Sequence, residues 1–201
     1  MKTLRTLIAI LLIIGLSEIT QAQTKMTSYK KKQTVPEVTI APFGGIIMPL
    51  GVLADNFKPG GSVGLDVGYR VNKEMGFFGK FGYHFMNSKL TGAPVGNYIE
   101  FSAGPRYYFT KPELKSTLFV EGGFGGYSYN QDSFVNPDDT LGSVVNEIND
   151  LRTGLNAGLG ANLAVSELID IMVRGKYNVV FTPSGSNSFI TIGAGLGFKI
   201  R

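Results

Sequence analysis

The 201-residue sequence contains no cysteine. It therefore has no disulfide framework, no thiolate metal site and no cysteine that could be lipidated at a processing site. The single histidine, His84, excludes a histidine-rich metal site. Charge is scarce, with Asp, Glu, Lys and Arg together at 17%. No apolar run approaches the ~20 residues that a membrane-spanning helix requires. The run Leu7 to Leu16 (LIAILLIIGL) has ten residues and stands at the chain's start. These absences exclude a Cys-based or His-rich metal site and argue against a membrane-spanning helix.

Glycine and large apolar residues are abundant instead. There are 27 glycines, aromatics reach 11%, and the glycines follow no fixed repeat. Dense Val, Ile, Leu and Phe argue for an ordered fold rather than low complexity. The length suits one domain with appendages. Lys2 and Arg5 precede the short apolar run, and Thr20-Gln21-Ala22 follows it, so residues 1–22 read as a signal peptide cleaved after Ala22. Without Lys2, Arg5 and Glu18, 17 bases face 14 acids. Residues 23–37 (QTKMTSYKKKQTVPE) form a flexible basic tail with four lysines and one acid, and 38–201 is neutral. The basic isoelectric point thus belongs to a solvated tail and does not signal nucleic acid.

Alternation with period two dominates 38–201. In 62–71 (SVGLDVGYRV), Val63, Leu65, Val67, Tyr69 and Val71 fall on one face, and Ser62, Gly64, Asp66, Gly68 and Arg70 on the other. That periodicity marks a β-strand with two unlike faces. The pattern returns at 77–86, 98–109, 118–129, 153–165, 169–181 and 189–200, and more loosely at 38–47. Eight strands of about 10 to 13 residues result, against an ordinary ~5–6. The connections alternate long and short, with long ones near 48–61, 87–97, 130–151 and 182–188. This ordering predicts an antiparallel meander with extracellular loops on one side and periplasmic turns on the other.

The unlike faces decide the environment. A water-exposed sheet face favours bulky polar residues, since glycine weakens a strand. Here the polar face is glycine with isolated charges, which suits a crowded lumen. The apolar face is nearly free of charge, and only a closed barrel can present such a face to lipid. The sequence therefore predicts an all-β, eight-stranded, antiparallel up-and-down transmembrane β-barrel behind a cleavable signal peptide. Asp66, Glu100, Glu121 and Asp170 stand on the inward face with Arg70, Lys80, Arg106, Arg174, Lys176 and Lys199. Buried charges need partners, so these are expected to pair across the lumen. Two aromatic belts are expected outside, with Tyr69, Phe77, Tyr107, Phe109 and Phe198 at the turn ends and Phe85, Tyr98, Tyr177 and Phe181 at the loop ends. Pro105 removes a ladder hydrogen bond, and a bulge is expected there.

Segments such as GYRVN, GPRYYF and GAGLGFKIR, set in eight alternating strands of an exported chain, resemble the small outer-membrane β-barrel proteins of the OmpA/OmpX-like group. The resemblance covers residues 38–201 and rests on pattern rather than a catalytic motif. It implies a monomeric barrel in a Gram-negative-type outer membrane, with membrane lipid and the outer-membrane assembly machinery as partners. Members usually end on an aromatic residue, whereas Phe198 here is followed by Lys199-Ile200-Arg201.

The resemblance also raises an enzymatic alternative, because some small outer-membrane barrels modify lipids with a His and a Ser. By parity His84 shares a face with Lys80 and points into the lumen, where a hydrogen-bonded interior histidine is expected. GAGLG and GGFGG lie within strands with no following helix, so a phosphate-binding role fails its context. Neither a cofactor nor a catalytic group is expected. The segment 130–151 carries Asp132, Asp138, Asp139, Glu147 and Asp150 without a base. It reads as a solvated loop, or as the surface on which an extracellular ligand or protein would be met. Residues 50–57 (LGVLADNF) suit a helical turn over the barrel mouth. A secreted soluble barrel holding a small hydrophobic ligand is the remaining alternative.

Overall fold

The structure, a computed structural model, describes residues 35–90, 92–109, 116–135, 144–183 and 185–200. The expected signal peptide and most of the basic tail lie outside these residues. Among the described residues, ten strands and one short helix follow in chain order. They are β1 (Glu37–Leu50), α1 (Val52–Asn56), β2 (Gly60–Arg70), β3 (Met75–Met86), β4 (Gly96–Phe109), β5 (Ser116–Gln131), β6 (Phe134–Val135), β7 (Val144–Val145), β8 (Ile148–Ala164), β9 (Ile169–Thr182) and β10 (Gly185–Ile200). Eight of them close an antiparallel barrel in the order β1-β10-β9-β8-β5-β4-β3-β2, and β6 pairs with β7 in the connection between β5 and β8. The seam joins β1 to β10, from Val38↔Ile200 to Leu50↔Ser188.

Burial follows the sequence alternation. In β3 every even residue from Gly76 to Met86 is buried, while Phe77, Phe81, Tyr83 and Phe85 are exposed. Outside, Phe101, Phe124, Leu155 and Leu159 are all more than half exposed. Water would not tolerate so large an apolar surface, but hydrocarbon requires it. A spanning strand needs ~9–11 residues. The barrel strands run from 11 to 17, so several continue past the bilayer at the loop end.

Three details depart from the sequence reading. Tyr98 is not part of the lipid-facing belt. It shares parity with Glu100, is buried inside, and its hydroxyl accepts a 3.1 Å hydrogen bond from Asn187 Nδ2. Pro105 causes no bulge. The β4–β5 pairing lapses between Ala103↔Phe124 and Arg106↔Glu121 and resumes in the same register. Pro42 coincides with a similar lapse between β1 and β10. Finally, the expected loop 182–188 is strand at Thr182 and from Gly185 to Ser188. Gly185, at φ 146°, pairs with Thr182 and lets Ser186, Asn187 and Ser188 pair with Phe181, Val180 and Val179.

Inward glycines make room for the lumen's large side chains. A Cβ at Gly160 would lie 2.5 Å from the Phe119 ring, and one at Gly82 would lie 2.9 Å from His84 Nε2. At the loop end, α1 and its C-cap residue Phe57 turn side chains inward. Leu53 and Phe57 join Ile47, Met86, Tyr98, Tyr127, Val180 and Phe189 in one buried cluster. The Lys58 amide donates to Asn87 O and the Lys89 amide to Asn56 O, tying the first loop to the second.

Candidate functional site

Charged side chains from the inward faces meet in the lumen at three levels. At mid-height, Arg106 donates from Nε and Nη2 to Glu121 Oε2, at 2.9 and 2.6 Å. The same Nη2 reaches both oxygens of Asp66, at 3.1 and 2.9 Å. Arg174 Nη1 lies 2.5 Å from Asp66 Oδ2 and 3.4 Å from Glu121 Oε1. Two guanidinium groups and two carboxylates from β2, β4, β5 and β9 thus form a neutral quartet across the barrel. Register alone brings Arg106 opposite Glu121, whereas Asp66 and Arg174 are 108 positions apart and meet only because the barrel closes.

Glu100 centres the next level. It lies 3.0 Å from Lys80 Nζ and also pairs with Lys176 Nζ. The Ser102 hydroxyl donates to its Oε1 at 2.5 Å. His84 Nε2 lies 3.0 Å from its Oε2, and Ser62 Oγ lies 2.8 Å from His84 Nδ1. A carboxylate only accepts, so a neutral His84 ring donates to Glu100 and accepts from Ser62. Ser62, His84 and Glu100 are each no more than 2% exposed. The chain of contacts has the connectivity of a nucleophilic relay, but its hydroxyl is enclosed and its carboxylate is shared by two lysines. Phe43, inward on β1, takes Lys80 over its ring at 4.8 Å and Arg174 at 5.0 Å, linking both levels. Such contacts are worth ~2 kcal/mol or more when desolvated.

The turn-end level holds Lys199, paired with Asp170, and Arg70. Arg70 donates to Asn72 O at 3.2 Å and to Lys73 O, and it stacks over Tyr108 at 4.0 Å. Glu37 is its cross-strand partner on β1. Above the Glu100 level, the Tyr127 hydroxyl donates to Asn178 Oδ1 and accepts from Asn156 Nδ2, both at 3.2 Å.

All ten expected lumen residues (Asp66, Arg70, Lys80, Glu100, Arg106, Glu121, Asp170, Arg174, Lys176 and Lys199) are buried inside the barrel. Sequence reasoning missed Glu37 and Phe43. Both have the inward parity of Thr39 and Ala41, but the first strand's two prolines and paired glycines blur its alternation. The acidic segment is less uniform than its sequence. Asp132 and Glu147 are exposed in the connection between β5 and β8. Asp150 lies within β8 and pairs with Arg152 at 2.5 Å, because the strand extends past the boundary expected from sequence. Asp138 and Asp139 lie outside the described residues.

The model of the family described as outer membrane protein beta-barrel domain matches residues 9–198. Three solved barrels are similar in structure. Neisserial surface protein A aligns with a TM-score of 0.62 at 15% identity, over 82% of this chain and 97% of that one. The N-terminal β-barrel domain of Pseudomonas aeruginosa OprF gives 0.55 at 17%, over 84% and 100%. Pseudomonas aeruginosa OprG gives 0.51 at 12%, over 86% and 100%. At these identities the likeness concerns the fold. No curated protein sequence matches the chain.

Proposed function

The chain belongs to the outer membrane protein beta-barrel domain family, and on that premise we propose that it is a non-catalytic barrel whose lumen is shut and whose extracellular connections carry any recognition. Its place is the outer membrane of a Gram-negative-type envelope. The observation that supports the shut lumen is the Arg106–Glu121–Asp66–Arg174 quartet. It joins strands on different sides of the barrel through hydrogen bonds of 2.5–3.4 Å. An eight-stranded barrel is just wide enough for side chains to fill. The cluster of Leu53, Phe57, Tyr98 and Phe189 above it adds an apolar closure.

A lipid-modifying role draws on the Ser62–His84–Glu100 contacts. Those groups point away from lipid and are enclosed, which favours a structural role for them. Recognition then falls to the loops, since outward strand residues meet only lipid and inward ones meet one another. In planar bilayers the reconstituted protein should show no sustained conductance. An Asp66→Asn, Glu121→Gln double variant should show transient openings, because it leaves two guanidinium groups without anions. A large, steady conductance from the native protein would refute the shut lumen.

A further inference from the structure

The outward face is indented between β2 and β5. A cleft of about 600 Å³ crosses the strands there, midway between turn and loop ends. Two neighbouring rows of cross-strand partners shape it. In the row nearer the loop end, Leu65 faces Phe81, which faces Phe101, which faces Gly126. In the row nearer the turn end, Val67 faces Gly79, which faces Ala103, which faces Phe124. Phe81 and Phe101 pack with ring centroids 4.9 Å apart and wall the loop-end side. Gly79 and Ala103 leave the turn-end side low, and Phe124, 72% exposed, stands at the far flank.

The glycine at 79 has no internal cause. A Cβ there would meet nothing within 4 Å, as at Gly44 and Gly175 on the same outward face, and unlike inward Gly160 and Gly82, whose space is filled by Phe119 and His84. Glycine within a strand weakens it and often marks the close approach of a ligand or another backbone. The cleft is continuous with the lipid-facing band, and no charged side chain projects into it. Lys80 borders it only through its backbone side, since its ammonium is turned inward to Glu100. A second copy of the chain fits poorly, because a two-fold contact sets like patches against each other and two concave surfaces would leave a void. Its floor, Gly79 and Ala103, lies in the row nearer the short turns, hence nearer the periplasmic leaflet, which is phospholipid.

We propose that this cleft holds one acyl chain of a phospholipid from the periplasmic leaflet, retained in preference to the exchanging chains around the rest of the barrel. The requirement is only that the barrel spans the membrane, whether or not its loops bind a partner. The test uses the full-length mature protein in phosphatidylcholine vesicles doped with a phosphatidylcholine carrying a mid-chain diazirine. After illumination, adducts should be about fivefold denser at Gly79–Phe81, Ala103 and Phe124 than at Val173 or Ile192, a ratio equal to ~1 kcal/mol of preference. An even distribution around the barrel, or protein-to-protein crosslinks through the cleft, would overturn the proposal. A Gly79→Leu, Ala103→Leu variant, which fills the floor, should lose the enrichment while still migrating as a closed barrel. Should that variant not fold, the absence of tryptophan allows a second measurement. Phe101→Trp should be quenched more strongly than Ile192→Trp at a low fraction of chain-brominated phosphatidylcholine, and equal quenching would overturn the proposal.

Discussion

Replacing Glu100 with glutamine removes one negative charge and leaves the side chain's shape almost unchanged. The carboxylate is fully enclosed and faces Lys80 at 3.0 Å, Lys176, His84 at 3.0 Å and the Ser102 hydroxyl at 2.5 Å. Breaking a buried ion pair from one side costs ~3–5 kcal/mol, because the remaining charge is left uncompensated. Here one anion serves two ammonium groups, which places the expected loss at the upper end of that range. There is also a ceiling. An unpaired ammonium can shed its proton, and for a lysine of ordinary basicity that costs ~4–5 kcal/mol at pH 7. The predicted loss for Glu100→Gln is therefore about 4–5 kcal/mol of unfolding free energy. It can be measured by urea titration of the refolded barrel in detergent micelles, scored by the mobility difference between unheated and boiled samples. Adding Lys176→Met should recover part of the loss, since the pair is then removed together, and the double-mutant cycle isolates that coupling. A Glu100→Gln protein within ~1 kcal/mol of the native one would refute the buried pairing as the source of lumen stability.

Two further outcomes follow from the wall and the loops. Leu155→Arg places a cation on the outward face at the level of Gly79 and should cost ~2–4 kcal/mol in a bilayer, as for a midplane arginine, with little effect if that face met water. Replacing residues 132–147 with a short Gly/Ser linker should leave insertion and heat-modifiable migration intact, because closure entropy depends weakly on loop length. Failure of the shortened protein to insert would make that connection structural.

What the sequence disclosed depended on period two. Where one face is Val63, Leu65, Val67 and Tyr69, parity alone assigns every neighbour to lipid or lumen, and Asp66 and Arg70 follow. Partner choice was not legible. Asp66 shares its strand with Arg70, yet it bonds Arg106 and Arg174 because closure of the barrel, rather than chain proximity, decides who meets. Strand ends escape the sequence wherever polar residues continue the ladder. Asp150 and Ser186 read as loop, but past the bilayer a strand no longer needs an apolar face, so the hydropathy signal stops before the hydrogen bonds do. Tyr98 departs for the opposite reason: aromatic character suggests an interface anchor, although its parity with Glu100 places it inside.

The first and last strands are each other's hydrogen-bond partners, with Val38 opposite Ile200. Among the described residues their union spans the greatest sequence separation of any strand pair, and contacts of high sequence separation are slow because chain entropy is lost before they reward it. The local hairpins have the opposite character. Asn72 Oδ1 accepts from the Glu74 and Met75 amides, and Ser166 Oγ from those of Leu168 and Ile169, so both short turns are set by neighbours. These contacts predict an assembly that runs from turns to sheet to cylinder, in which the growing sheet carries two bare edges that a bilayer cannot solvate until β10 arrives. A chain truncated before Gly185 would not form a smaller barrel. It would remain an open ribbon, held by whatever guards its edges or lost to aggregation.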